Sequence, residues 1–194
     1  MNSVAADHRT PDGKSPTSVW LLRNPLDFIA EDHLRLRTIC ADVDRLAHAG
    51  KAQPDEVAGL VQYLTQELPL LLADEDDDLL PWLLKRAEPE DELPKLAARL
   101  DAEHKVITEH LQRVVLGLEA LDTSGAIPES LAAEMLVLAN TTRRHLILEN
   151  AVLIPLARAR LSQDDLFSLR VAIQKRRGLE DLFETKSETE PNPS

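Results

Sequence analysis

Residues 143–155 read RRHLILENAVLIP, and this stretch decides the predicted fold. His145 and Glu149 are four residues apart, so an α-helix places both on one face. In the alternating 4-and-3 spacing of the apolar residues around them, both occupy positions that should face a hydrophobic core. An unpaired carboxylate in such a core costs roughly several kcal/mol. A metal ion is a partner that would satisfy both side chains.

Four long segments with helical apolar periodicity make up most of the chain, and a shorter one follows them. Gly50, Pro54, Pro89 and the turn Thr123-Ser124-Gly125 separate the long segments, as helix breakers do. The predicted helices are Pro25 to Ala49, Pro54 to Ala87, Asp91 to Asp122, Pro128 to Arg160 and Asp164 to Arg177. Connections this short join antiparallel neighbours. The sequence therefore predicts an all-α fold, an up-down-up-down antiparallel four-helix bundle with a short additional C-terminal helix.

Polar residues interrupt the core-facing positions of every long helix. The periodicity predicts Ile29, His33, Leu36, Cys40, Val43 and Ala47 in the first helix, and Leu100, His104, Ile107, Leu111, Val114, Leu118 and Leu121 in the third. In the second helix it predicts Glu75, Asp78 and Trp82 in succession, and in the fourth His145, Glu149, Val152 and Leu156. Six of these positions, His33, Glu75, Asp78, His104, His145 and Glu149, are polar where the pattern requires apolar side chains.

The polar residues are expected to lie at one height in the bundle. Counted from each connection, the residues on neighbouring helices differ in height by about one helical turn or less, at ~1.5 Å per residue. Imidazole nitrogen together with carboxylate oxygen suits iron, manganese or zinc, whereas calcium sites lack histidine. Two facing carboxylates, Glu75 and Glu149, could bridge two such ions.

Composition limits the other classes of function. The formal net charge of −12 argues against binding to nucleic acid or to an anionic membrane, because both would repel this surface. A single cysteine, Cys40, cannot form an intramolecular disulfide, and the first residues lack the apolar region of a secretory signal. We therefore expect a cytoplasmic protein. We further expect a flexible N-terminal arm (1–18), the bundle (19–162), a capping helix (163–179) and a flexible acidic tail (180–194).

The same residues carry a family resemblance. Asp32-His33, the stretch LPLLLADEDDDLLP (68–81), Glu103-His104 and the stretch RRHLILENAVLIP resemble the hemerythrin-like (HHE cation-binding) family over roughly residues 25–160. The resemblance implies a four-helix bundle whose metal ligands are one His on the first helix, HxxxE on the second, one His on the third and HxxxE on the fourth. It assigns His33, Glu75, His104, His145 and Glu149 as ligands. The chain departs from the pattern at Leu71, where the family has the second-helix histidine.

Two functions are compatible with these residues. The resemblance implies a non-haem metal-binding protein, with iron, in the form of two ions, as the cofactor and zinc or manganese as alternatives. Such a protein would sense, carry or store a diatomic gas (dioxygen or nitric oxide) or iron. The alternative, favoured by Leu71, is a regulatory or protein-interaction bundle whose degenerate site holds one zinc or no metal. No residue set indicates a nucleophile, a phosphate loop or an organic-cofactor pocket, which argues against a conventional enzyme.

Several residues near the predicted centre have more than one interpretation. Asp78 either orients a ligand histidine or turns to solvent. Cys40 is expected to pack as a small hydrophobic residue, and Pro69 to bend the second helix just before the centre. The remaining histidines, His8, His48 and His110, have no partner at a useful spacing, and we assign them no function.

Overall fold

The computed structural model describes residues 15–183 and confirms the predicted all-α fold. Within that range a 3₁₀ turn, Val19–Arg23, precedes five helices. We number them α1 (Pro25–Ala49), α2 (54–86), α3 (Leu93–Glu119), α4 (129–160) and α5 (Gln163–Arg176). Residues 15–183 contain no strand and no helix long and apolar enough to cross a membrane. The first 14 residues of the predicted arm, with His8, and residues 184–194 of the predicted tail lie outside the described range.

The ends of the helices follow from their capping residues. Asn24 accepts a hydrogen bond from the amide of Leu26 at the start of α1, where Pro25 has no N–H to satisfy. Gly50 ends α1 in the left-handed conformation, with a φ of 62°. At the start of α5, Ser162 and Asp165 form a reciprocal capping box.

The four long helices form the bundle, with α4 packed against both α1 and α3, and with α2 in contact with both α1 and α3. Two backbone hydrogen bonds tie the α1–α2 and α3–α4 connections together at one end. The Ala52 amide donates to Gly125 and the Ile127 amide donates to Gly50, each at 2.9 Å. The shorter helix α5 packs against α1 and against residues 74–79 of α2. This packing leaves a closed interior between the long helices, which holds the apolar core and the polar residues.

Three π turns interrupt the long helices, and the apolar spacing did not predict them. They are Tyr63–Glu67 and Asp74–Leu79 in α2, and Glu149–Leu153 in α4. Each ends two residues before a proline: Pro69, Pro81 and Pro155. In each case the residue before the proline donates its amide hydrogen to the carbonyl five residues back instead of four. The wider turn thus accommodates a proline that has no N–H and whose ring crowds the preceding turn.

The π turns also shift which residues face the core. After Glu75 the core positions are Leu79 and Leu83, both 0% exposed, instead of the predicted Asp78 and Trp82. After Glu149 they are Leu153 and Ala157, both 0% exposed, whereas the predicted Val152 is 41% exposed. A π turn holds one more residue than an α turn, so every later side chain moves by one position. In α1 and α3, which have no π turn, the predicted core residues are buried except Leu121, which lies just beyond α3 and is half-buried.

Candidate metal centre

The five predicted ligands lie on the inner faces of the four long helices and are almost completely buried. Their exposures are 0% for His33, 1% for Glu75, 3% for His104, 2% for His145 and 1% for Glu149. The two glutamates lie in the π turns of α2 and α4. The side chains lie within a few ångströms of one another, so they do lie at one height in the bundle, as predicted.

Four of the five side chains form one compact group. Glu75, His104, His145 and Glu149 each offer a ligand atom, and these atoms all lie within 4.8 Å of one another. The Nε2 atoms of His104 and His145 are 2.8 Å apart. Glu149 Oε1 lies 2.9 Å from Nε2 of His145 and 3.6 Å from Nε2 of His104. A single ion at this point could be bound by two imidazoles and two carboxylates.

The fifth side chain, His33, faces the other oxygen of each carboxylate. Its Nε2 lies 2.6 Å from Glu75 Oε1 and 3.6 Å from Glu149 Oε2. Glu75 Oε2 in turn lies 3.6 Å from His104 Nε2. Each carboxylate therefore has one oxygen on the His33 side and one on the side of the other two histidines. Either oxygen of each carboxylate is thus available to a cation on its own side.

The outer nitrogen of each histidine is held by an oxygen atom of a neighbouring helix. His104 Nδ1 lies 2.8 Å from Asp76 Oδ1, and His145 Nδ1 lies 2.9 Å from Glu103 Oε2. His33 Nδ1 lies 3.3 Å from the side-chain oxygen of Asn150. Metal-bound histidines typically donate their second N–H in this way, which fixes the ring orientation and tautomer.

The sequence reasoning missed these three acceptors, although they follow a pattern. Asp76, Glu103 and Asn150 each stand beside a predicted ligand in the sequence, and each holds the histidine of the next helix around the bundle. A polar residue adjacent to a core-facing ligand was the available signal. It could not be used without knowing which helices are neighbours.

The arrangement requires positive charge at its centre. Because the Nδ1 atoms of His104 and His145 face carboxylate oxygens, those nitrogens carry the hydrogen in the neutral rings, and two Nε2 lone pairs then face each other at 2.8 Å. Within the described residues, Glu149 Oε1 also receives no well-aligned hydrogen bond, although it is fully buried. Convergent lone pairs and a buried, unsatisfied carboxylate oxygen repel one another unless a cation lies between them. The donor set therefore fits a metal ion.

The pKa values of these groups reflect the same requirement for positive charge. Burial lowers the pKa of His33, but the hydrogen bond to Glu75 and the charge of Glu149 outweigh it and raise the pKa to about 9. Burial likewise lowers the pKa of His104, which Asp76 and Glu149 together raise to about 10. For Glu149, burial raises the pKa, yet the facing imidazoles bring it well below the ordinary value. Without a metal ion, protons therefore supply the positive charge.

Asp78 takes neither of the two positions considered from the sequence. It neither holds a histidine nor turns to solvent, because the π turn directs its carboxylate towards α5, where Arg176 Nη1 lies 2.7 Å away. The residue that orients His104 is Asp76. The acidic run also contributes Asp74, which is 0% exposed although the periodicity did not place it inside.

The other residues considered from the sequence lie away from the centre. Cys40 is buried in the apolar core, and burial raises the pKa of its thiol to about 12, so it packs as a small hydrophobic residue. His110 pairs with Glu134 at 2.6 Å, and the exposed His48 lies 2.7 Å from the carbonyl oxygen of Asp44. Leu71, at the position of the family's histidine, is 2% exposed and lines a cavity of about 350 Å³ together with Asp32.

Comparison with known families agrees with this geometry. The family described as the hemerythrin HHE cation binding domain matches residues 24–157. The chain belongs to this hemerythrin family. The match covers α1 to α4 almost completely and leaves out α5, so the centre lies within the family domain while the C-terminal helix is an addition to it. The chain matches none of the curated proteins and none of the solved structures compared with it. Membership in the family implies a cation-binding site, and the cluster of histidines and glutamates is where a metal could be held.

Proposed function

We propose that the protein binds two metal ions, with iron as the native metal, between His33, Glu75, His104, His145 and Glu149. The observation that carries the proposal is the 2.8 Å approach of the Nε2 atoms of His104 and His145 beside the unsatisfied Glu149 oxygen. Buried lone pairs at that separation need a shared cation. Mixed imidazole and carboxylate donors favour iron, manganese or zinc over calcium or magnesium.

The two positions differ in their protein ligands. The first has the imidazoles of His104 and His145 together with both carboxylates. The second has one imidazole, His33, together with the other oxygens of the carboxylates, and Leu71 stands where the family supplies a histidine. The second ion is therefore the weaker-bound one, and it keeps a coordination position for an exogenous ligand.

That open position suggests the physiological role. Iron, when bound, supplies a redox-active ion that can bind a diatomic gas at an open position. The chain contributes a buried leucine, Leu71, which offers no lone pair to that position. We therefore propose sensing, carriage or storage of dioxygen or nitric oxide, or handling of iron itself. A cytoplasmic location stays a prediction from the sequence.

The alternative function is a regulatory or interaction bundle with one zinc ion or none. Leu71 is the observation that favours it, because it removes one imidazole from the second position. Under this alternative at most the first position would be occupied, and no gas would bind.

A metal titration separates the two functions. Protein purified without a histidine tag and stripped of metal is titrated with Fe²⁺ under anaerobic conditions, and in parallel with Zn²⁺. We expect two Fe²⁺ ions per chain in two steps, and an optical change when nitric oxide is added to the iron-loaded protein. Binding of a single ion, with no optical response to nitric oxide or dioxygen, would support the alternative.

The Leu71→His variant tests the origin of the weaker step. Leucine and histidine are similar in volume, so the replacement restores an imidazole with little repacking. We expect the second Fe²⁺ to bind more tightly in the variant, while the first is unchanged. Two ions bound with equal affinity in the parent, with no gain in the variant, would mean that another group already completes the second position.

A further inference from the structure

Two arginines at the C-terminal end of α5, Arg176 and Arg177, contact residues on the outer side of the candidate metal centre. Arg176 Nη1 donates to Asp74 Oδ1 at 2.5 Å, and Arg177 binds both oxygens of the same carboxylate at 2.8 and 2.5 Å. Asp74 is 0% exposed and directly precedes Glu75 in the π turn Asp74–Leu79. A buried carboxylate held by two guanidinium groups is fixed in place, and the backbone that carries Glu75 is fixed with it.

Arg177 also approaches the residue beside the other ligand of the second position. Its Nη2 lies 3.9 Å from Oδ2 of Asp32, which directly precedes His33 and accepts a hydrogen bond from the hydroxyl of Thr17. The guanidinium group lies 5.0 Å from the centroid of the Phe28 ring, and the side chain is only 12% exposed. Arg177 therefore spans α1 and α2 next to His33 and Glu75, whose own atoms are 2.6 Å apart.

Arg176 secures the far end of the same π turn. Besides Asp74 it binds Asp78 at 2.7 Å. A single side chain of α5 therefore contacts both the first and the fifth residue of the π turn Asp74–Leu79. A π turn interrupts the regular hydrogen-bond spacing of the α-helix, so contacts from outside the helix help to fix it. Here that support comes from α5, which lies outside the matched family domain.

We propose that Arg177, assisted by Arg176, is a positioning residue for the His33 side of the metal centre, so that α5 sets the affinity of the second metal position. The inference rests on the proposed function, since it concerns one of the two ions. The first position shares Glu75 with the second, but it also has His104 and His145 of α3 and α4, which neither arginine contacts through the residues described above. It follows that disturbing Arg177 affects the two ions unequally.

The test compares Arg177→Gln with a matched control on the other anchor of α5. In the control, Arg86→Gln, the lost contacts are two hydrogen bonds from Arg86 to Asp165 at 2.8 and 2.9 Å, near the start of α5. Arg86 follows Glu75 by 11 residues, roughly 16 Å along the helix, so the control loosens α5 without touching the π turn. Arg177→Lys is the second variant. It keeps the positive charge beside Asp74, so we expect it to fold even if Arg177→Gln does not.

Each protein, stripped of metal and free of a histidine tag, is titrated with Co²⁺ while its visible spectrum is recorded. We expect Arg177→Gln to weaken the second ion about tenfold or more, as losses of residues that orient metal ligands do, and to weaken the first ion less, because the first has two imidazoles. Arg177→Lys should give a smaller loss, and Arg86→Gln should leave both affinities and both spectra as in the parent. Equal weakening of both ions in all variants, or no change with Arg177→Gln, would overturn the inference.

A second measurement keeps the inference separate from the proposed function. Hydrogen exchange of the amides of residues 74–79 in the metal-free proteins should accelerate in Arg177→Gln and not in Arg86→Gln. If the parent binds no Co²⁺ while this difference is present, the proposed function fails and the positioning role stands. If the parent binds Co²⁺ and exchange at residues 74–79 is the same in both variants, the positioning role fails alone.

Discussion

Replacing Glu149 by glutamine tests the electrostatics of the centre without changing its shape. Glu149 is 1% exposed, and its carboxylate lies 2.9 Å from His145, 3.6 Å from His104 and 3.6 Å from His33. In the metal-free protein this carboxylate compensates protonated imidazoles, and under the proposed function it would contact both metal positions. Removing one partner of a buried charge pair costs about 3–5 kcal/mol.

This cost can be converted into a melting temperature. In a chain of about this length 1 kcal/mol corresponds to about 2–4 °C, so Glu149→Gln should lower the Tm of the metal-free protein by about 6–20 °C. The matched control is Glu134→Gln on the same helix, where the carboxylate is 25% exposed and pairs with His110 at 2.6 Å. A surface pair of this kind contributes about 0–1 kcal/mol, so the control should lose at most about 4 °C.

The assay is thermal unfolding followed by circular dichroism in the presence of a chelator, and then a metal titration of both variants. Glu149→Gln should also lose most metal binding, whereas Glu134→Gln should bind like the parent. If the two variants unfold at the same temperature and bind metal equally well, Glu149 compensates no buried charge and the proposed centre is wrong.

Three further outcomes follow from the contacts. Asp76→Asn should weaken metal binding about 10–100-fold, because Asp76 orients His104, while Asp78→Asn, which loses a contact with Arg176 and none with a predicted ligand, should weaken it less; the same titration measures both. Gly125→Ala should lower the free energy of unfolding by about 2–3 kcal/mol in a denaturant titration, because its φ is 66° and a Cβ would lie 2.1 Å from a carbonyl oxygen of the facing loop. The backbone of Gly50 is also left-handed, but an added Cβ would have no atom within 4 Å. Gly50→Ala should therefore lower the free energy of unfolding by only about 1–2 kcal/mol. The pKa values of His33 and His104 are raised to about 9 and about 10. Their protonated rings therefore stabilise the metal-free protein fully below about pH 6.5, and this stabilisation is lost as the pH rises through 9 to 10. Over the same pH range metal affinity should rise, because metal binding displaces those protons. Thermal unfolding of the metal-free protein and metal titrations at pH 7, 8.5 and 10 measure the two opposite trends.

The helices and their order could be predicted from the sequence, because apolar periodicity and helix breakers are local signals. The bounds of α1 agree with the prediction, and α5 is displaced by one residue. Core residues were correct in α1 and α3, where the α-helical spacing continues without interruption. The family resemblance is confirmed by the match over residues 24–157.

The errors in the core positions after Glu75 and after Glu149 share one physical cause. Periodicity assumes 3.6 residues per turn, whereas the π turns before Pro81 and Pro155 each add a residue. Every position after them was therefore predicted one residue too early, which is why Asp78 was considered and Leu79 was not. The prolines were the available signal, since each follows a π turn by two residues.

The contacts around the ligands required the tertiary arrangement. Asp76, Glu103 and Asn150 hold histidines on neighbouring helices, and nothing local to any one helix indicates which histidine each one meets. The pairing of Asp74 with Arg176 and Arg177 joins residues about a hundred positions apart, so no spacing within one helix indicates it. Long-range pairs of this kind depend on the packing of α5, which sequence periodicity does not determine.

The metal content of the protein as isolated tests the central claim most directly. The chain is produced without a histidine tag, purified without chelators and measured by elemental analysis, with Glu149→Gln prepared in the same way as the background. We expect at least about one transition-metal ion per chain in the parent, with iron the main element, and little metal in the variant. A parent with no more metal than the variant would contradict the account.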